Sequence, residues 1–93
     1  MSPLVKYAVE FAGAFALCFV VLATGNFLAI GATLALIVFL GGPISSGAFN
    51  PAVAIALFHA GKLPTSDLLP YILAEIAGGL LAVEINKRVK LPF

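Results

Sequence analysis

The triplet Asn50-Pro51-Ala52 predicts that a helix begins in the middle of a strongly apolar sequence. Asn is a favoured N-cap residue, and Pro at the first helical position gives up an N–H group that would have no partner there. In a membrane, such a helix start is tolerated only where it is buried in protein or lines a cavity, because lipid offers no hydrogen-bond partner. The triplet therefore indicates a pore rather than a plain helical bundle.

The composition indicates an integral, multi-pass membrane protein. The 93 residues are 62% hydrophobic and 10% charged, whereas soluble domains average roughly 45–50% and about 25%. A net charge of +1 without a basic tract argues against nucleic-acid binding. The single cysteine and single histidine form no metal-binding or catalytic set, so we expect no metal, no cofactor and no enzyme.

Apolar runs predict an all-α fold with three membrane spans and one half-span. The predicted spans are residues 4–23, 27–41 and 68–86. The first is close to the ~20 residues that cross a ~30 Å core, and its length and its interruption by Glu10 favour a span over a signal peptide. Residues 42–50 contain Gly, Ser and Pro and predict a re-entrant loop, and residues 51–60 predict a half-helix of roughly 15 Å.

Small residues recur at every fourth position in two of the spans. The two series are Ala8, Ala12 and Ala16 in the first span, and Ala74, Gly78 and Ala82 in the third. Such spacing lets helix backbones approach closely in a membrane. We therefore expect the first and third spans to use these faces for packing.

The loop and its flanks resemble the aquaporin and aquaglyceroporin (major intrinsic protein) family. The segment 42–53, G-P-I-S-S-G-A-F-N-P-A-V, looks like the family's pore loop. Residues 10–15 resemble its first-helix pattern, and residues 71–79 resemble its third helix. Members of the family have six spans and two such loops in inverted repeats, whereas this sequence holds one half-set. It resembles half an aquaporin.

The resemblance implies an inverted homodimer, in which two oppositely inserted copies together form one pore. The charges permit dual topology. If the N-terminus is cytoplasmic, two cations lie on that side and three on the other, a split too even to fix orientation by the positive-inside rule. The two sets are Lys6 and Lys62 against Lys87, Arg88 and Lys90. Because family members form tetramers of complete pores, the resemblance suggests eight copies.

The resemblance also implies which groups line the pore. Asn50, beside Pro51 and Ala52, places its amide near the bilayer midplane, where it donates hydrogen bonds to passing water. The expected acceptors are the backbone carbonyls of Ser46, Gly47, Ala48 and Phe49.

The selectivity filter departs from the family pattern. Relatives usually place an Arg directly after the second triplet, but Val53 holds that position here. The filter is therefore expected to be less polar and to favour glycerol or another small neutral solute, or to pass both water and such solutes. The other filter candidates are Gly47, Ile30 and Val38.

Two glutamates, Glu10 and Glu75, fall inside predicted spans, where an ionisable group is costly and usually faces the protein interior. By resemblance, Glu10 should hold the backbone of the pore loop through hydrogen bonds, and Glu75 falls where many relatives carry an amide. Both are predicted to brace the loop. Proton carriage is the alternative role.

Three functions remain open from the sequence. A passive channel for water and small uncharged solutes is preferred, because it explains the half-helix. A small dual-topology exporter that exchanges protons through Glu10 would fit the length and balanced charge, but it leaves the half-helix unexplained. The third is a half-channel subunit that pairs with a different partner bearing the missing Arg.

Overall fold

The protein is a bundle of four helices joined by short turns, and the computed structural model describes residues 2–89 and 91–92. The helices are α1 Pro3–Thr24, α2 Phe27–Ser45, α3 Pro51–His59 and α4 Thr65–Arg88. No strand occurs among the described residues, and α1, α2 and α4 are long and apolar enough to cross a membrane. The predicted all-α membrane fold is confirmed. Lys90, which entered the topology argument, lies outside the described residues.

Side-chain oxygens cap the starts of α1, α2 and α3. Ser2 Oγ accepts from the Leu4 N–H at 3.2 Å. Asn26 Oδ1 accepts from two N–H groups of α2, and Asn50 Oδ1 accepts from the Ala52 N–H at 2.7 Å. Each cap satisfies donors that a helix start leaves without a partner.

Helix α2 continues four residues beyond its predicted end, so the loop prediction for residues 42–50 is corrected. Helical structure passes through Pro43 and stops at Ser45, and the irregular segment is only residues 46–50. Pro43 lies in the last turn, and its missing N–H leaves the carbonyl four residues earlier without its helical donor. Ser46, at φ 74°, ends the helix in the left-handed conformation.

The other boundaries lie closer to the prediction. Helix α1 differs by one residue at each end, whereas α4 begins three residues before the predicted Leu68. Helix α3 has nine residues and ends in a Schellman turn: Gly61 takes φ 77°, and the Lys62 N–H donates to the Leu57 carbonyl at 2.8 Å. It is therefore about half as long as a membrane span.

Helices α1 and α4 run parallel and form the main contact of the bundle. Near their N-terminal ends, the rings of Tyr7 and Tyr71 pack edge to face with centroids 5.9 Å apart. Further along, a Cβ placed on Gly78 would lie 2.5 Å from the Phe11 carbonyl oxygen. Later residues of α1 thus contact later residues of α4, which defines how the two helices are aligned. Because Gly78 has no side chain, the two backbones can approach closely there.

The small-residue prediction fits α4 and fails for α1. Gly78 and Ala82 are buried, but Ala8 and Ala12 are exposed, and the small residues buried in α1 are Gly13 and Ala14. The reason is the rotation of α1 about its axis. Glu10 faces the interior, and residues three and four positions further along lie on that same face of a helix.

We predict that Gly78→Ala destabilises the bundle by about 1–3 kcal/mol, because the new methyl group would overlap the backbone of α1. Gly31→Ala in α2 is the matched control, since a Cβ there meets nothing within 4 Å. The free energy of unfolding, measured by SDS titration from detergent micelles, should fall only for Gly78→Ala. If Gly78→Ala were as stable as wild type, the close packing of α1 and α4 would be contradicted.

Candidate functional site

The candidate site is the irregular segment 46–50 together with the first turn of α3. Three residues of this segment take positive φ values: Ser46 at 74°, Gly47 at 67° and Phe49 at 55°. Only glycine adopts this region freely, and a bulky residue there is strained. Strain of this kind persists where surrounding contacts determine the backbone.

Glu10 supplies the strongest of these contacts from α1. Its side chain is fully buried. The Phe49 N–H donates to Oε1 at 2.7 Å, and the Ser45 hydroxyl donates to Oε2 at 2.6 Å. Both bonds have the short lengths of hydrogen bonds to an ionised acceptor. These are the contacts that the predicted brace role of Glu10 requires.

Tyr71 is a second brace, from α4, that the sequence reasoning missed. Its hydroxyl donates to the Ser45 carbonyl at 2.7 Å, and its side chain is buried. That carbonyl lies at the C-terminal end of α2, where helix carbonyls have no helical partner. The available signal was spacing, because Tyr71 lies one helical turn before Glu75 on the same face of α4.

Phe49 anchors the segment through its side chain. The ring is buried against two glycines: a Cβ on Gly41 would lie 2.7 Å from its Cζ atom, and a Cβ on Gly13 would overlap the ring. The prediction assigned only the carbonyl of Phe49 to the site. The side chain packs into the space that these two glycines leave, so it helps to hold the strained turn.

The backbone carbonyls that were predicted as acceptors have no partner in the described part of the chain. None of the four accepts a hydrogen bond. Ala48 and Phe49 are buried residues, Gly47 is half-buried and Ser46 is exposed. Unpaired carbonyls at membrane depth need water or another donor.

Asn50 lies at the exposed end of the segment. Its Oδ1 is engaged by the cap of α3, and its NH2 group makes no hydrogen bond to any residue that the structure describes. Ala52 and Val53 are also exposed, and Pro51 is half-buried. The amide therefore has two donors directed away from its own cap.

The structure brings together two of the remaining filter candidates. A Cβ on Gly47 would lie 3.6 Å from Val38 Cγ1, so α2 and the segment meet at these residues. Ile30 lies eight positions before Val38 on α2, or about 12 Å along the axis. It is not part of the same contact.

Glu75 does not brace the loop. Its side chain is buried, but neither carboxyl oxygen has a hydrogen-bond donor among the described residues. It lies one turn beyond Tyr71 and lines an apolar groove together with Pro51. The prediction is corrected here: Tyr71, rather than Glu75, makes the loop contact from α4.

Three of the four Lys and Arg side chains in the described chain form ion pairs away from the site, and the fourth, Lys62, lies exposed just beyond the end of α3. Lys6 pairs with Asp67 at 2.5 Å, and Lys87 and Arg88 pair with Glu84 on the exposed end of α4. Among the described residues, no group of side chains could hold a metal ion. The site therefore consists of backbone groups, amides and carboxyls within an apolar frame.

We predict that Glu10→Ala lowers the free energy of unfolding by about 2 kcal/mol or more, because it leaves the Phe49 N–H and the Ser45 hydroxyl buried without an acceptor. Glu84→Ala is the control, since that carboxylate is paired only at the exposed end of α4. Unfolding in detergent should separate the two variants. Equal stabilities would show that Glu10 does not hold the turn.

The chain is similar in sequence to proteins named aquaporin Z. It is 44% identical to aquaporin Z of Brucella melitensis over 61 residues, which are 66% of this chain and 27% of the relative. It is 39% identical to aquaporin Z of Photorhabdus laumondii over 61 residues, which are 66% of this chain and 26% of that relative. The aligned segment thus spans about a quarter of each relative. No solved structure matched the chain.

The family comparison covers almost the whole chain. The model described as "Major intrinsic protein" matches residues 5–92, a range that includes α1 from its third residue onward and all of α2, α3 and α4. Because this match extends over far more than half of the sequence, the chain belongs to the major intrinsic protein family.

Proposed function

We propose that the chain forms a passive channel for water and small uncharged solutes, with the pore between two oppositely oriented copies. The observation that carries the proposal is the start of α3. Asn50 is exposed there with its NH2 group unpaired, beside four backbone carbonyls that accept no hydrogen bond from the described residues. Membership of the family supports a channel rather than an enzyme.

The length of α3 supports a second half-helix. Nine residues rise about 13.5 Å, so two such helices placed N-terminus to N-terminus cover about 27 Å. This is close to the ~30 Å hydrocarbon core. An inverted copy supplies the second half-helix by symmetry and brings the two Asn50 side chains together near the midplane.

Donors and acceptors at this point suit water. A water molecule at the midplane accepts hydrogen bonds from both Asn50 side chains and directs its hydrogens along the pore, toward acceptors such as the carbonyls of residues 46–49. In that orientation it cannot relay a proton through the centre. The positive ends of the two α3 helices also oppose the entry of cations.

Val53 makes the proposed filter apolar. It is 41% exposed and directly follows the triplet, and no arginine occurs in α3. An apolar residue in every copy lowers the cost of passing the carbon backbone of a small polyol such as glycerol. We therefore include small neutral solutes, besides water, among the permeants.

No observation favours the exporter. A proton-exchanging carboxylate needs access to solvent or substrate, but Glu10 is 0% exposed and both its oxygens accept hydrogen bonds from the turn. A half-channel subunit that requires a different partner would have the same exposed start of α3, so this feature does not separate it from the homodimer. Permeability of vesicles that contain only this chain distinguishes that case from the homodimer.

We predict that Asn50→Ala reduces water permeability to about the level of protein-free vesicles, because it removes the donors at the midplane. Asn50→Asp keeps the cap oxygen and removes the NH2 group, so it should also reduce permeability. Stopped-flow light scattering on proteoliposomes in a sucrose gradient measures the effect.

Asn26→Ala is the matched control for this experiment. Asn26 caps α2 in the same way that Asn50 caps α3, and either loss costs roughly 0.5–2 kcal/mol of helix stability. Permeability should survive in Asn26→Ala. If Asn50→Asp conducts like wild type, the NH2 group has no role in permeation, and if wild type does not conduct, the self-assembled channel is wrong.

We predict that Val53→Arg reduces glycerol permeability more than water permeability, because a long cationic side chain narrows the pore in both copies. Val53→Leu is the control for side-chain size without charge. The ratio of re-swelling in glycerol to shrinkage in sucrose should fall for Val53→Arg. An unchanged ratio would show that position 53 does not line the filter.

A further inference from the structure

We propose that Glu75 is a protonated carboxylic acid that shares its proton with the carboxylate of Glu10, so that the pair forms a buried proton-binding site between α1 and α4. The inference concerns these two side chains and does not depend on the channel proposal. It assigns Glu75 a role that the loop-brace prediction did not give it.

The register of α1 and α4 places the two carboxyls side by side. Tyr7 contacts Tyr71 on one side of the pair, and Phe11 approaches Gly78 on the other. Because the helices are parallel, Glu10 and Glu75 fall between these contacts on facing surfaces. Ser45 links the two helices at this level, because its hydroxyl donates to Glu10 and its carbonyl accepts from Tyr71, which lies one helical turn before Glu75.

The hydrogen bonds of Glu10 assign the charge to that residue. Its two oxygens accept from the Phe49 N–H and the Ser45 hydroxyl, which is a role for the ionised form. Glu75, which is 3% exposed, has no donor for either oxygen among the described residues. If Glu75 were also ionised, it would be a buried negative charge without a hydrogen bond or a cation to offset the cost of its desolvation.

Among the residues that the structure describes, no cation pairs with either carboxyl. The other titratable side chains along this contact of α1 and α4 are Tyr7, Tyr71 and, nearer the helix starts, Asp67, and the thiol of Cys18 lines the groove with Glu75. Lys6 is engaged by Asp67 at the end of the helices. Without a cation, one shared proton is the available way to relieve repulsion between two adjacent carboxylates.

A proton at this place has a structural consequence. The protonated Glu75 donates to Glu10 and leaves that carboxylate free to accept from the turn. A neutral amide at position 75 can donate in the same way, so Glu75→Gln should fold like wild type without the proton. Loss of the proton would place a second negative charge in the groove beside Pro51.

Infrared spectroscopy of the purified protein in detergent at neutral pH tests the proposal. A protonated carboxyl group has a carbonyl stretch that is separate from amide and carboxylate bands and shifts in D2O. The chain has four acidic side chains, Glu10, Asp67, Glu75 and Glu84. We expect one such band in wild type, its loss in Glu75→Gln and its retention in Glu84→Gln.

Should Glu75→Gln fail to fold, labelling with 13C-glutamate assigns the band to a glutamate, and retention of the band in Glu84→Gln restricts it to Glu10 and Glu75. The band should shift with 13C-labelled glutamate and stay in place with 13C-labelled aspartate, which labels the only aspartate of the sequence, Asp67. Absence of the band in wild type would overturn the proposal. That outcome would arise, for example, if Glu75 were ionised and accepted a hydrogen bond from a partner subunit. Persistence of the band in folded Glu75→Gln would overturn it as well.

Discussion

The structure depends on hydrogen-bond partners for the backbone groups at the end of α2 and the start of α3, which lie inside an apolar bundle. Five residues separate the end of α2 from the start of α3, and lipid cannot form hydrogen bonds with the backbone groups that this leaves unpaired. Glu10 and Tyr71 bind groups at the end of α2 and in the turn, and Asn50 caps α3. The groups that stay unpaired are the ones for which we propose water as the partner.

Packing around this turn explains several features that appear independent. The rotation of α1 that buries Glu10 also buries Gly13, whose missing side chain makes room for the ring of Phe49. The approach of α4 over Gly78 brings the hydroxyl of Tyr71 to the carbonyl of Ser45. The carboxylate and the glycines thus act together, because the turn needs both a hydrogen-bond acceptor and space.

The sequence was informative where local chemistry decides the structure. The Asn-Pro start of α3, the glycine at its end and the length of α1 follow from capping and hydropathy. The end of α2 did not follow, because Gly42 and Pro43 favour a loop and only the contacts of Ser45 with Glu10 and Tyr71 explain the extra turn of helix. Glu75 and Ala12 were misassigned because their surroundings depend on how α1 and α4 rotate against each other.

The central claim is that two copies of the chain meet in opposite orientations, and inter-copy cross-linking tests it most directly. Lys62→Cys and Lys87→Cys, each in a Cys18→Ala background, place single thiols near opposite ends of α4. A flexible linker should cover the 23 Å width of the chain but not its 42 Å length. Inverted pairing predicts cross-links between the two different variants when they are mixed, and none within either variant alone. Cross-links only between identical variants would establish parallel pairing and contradict the account.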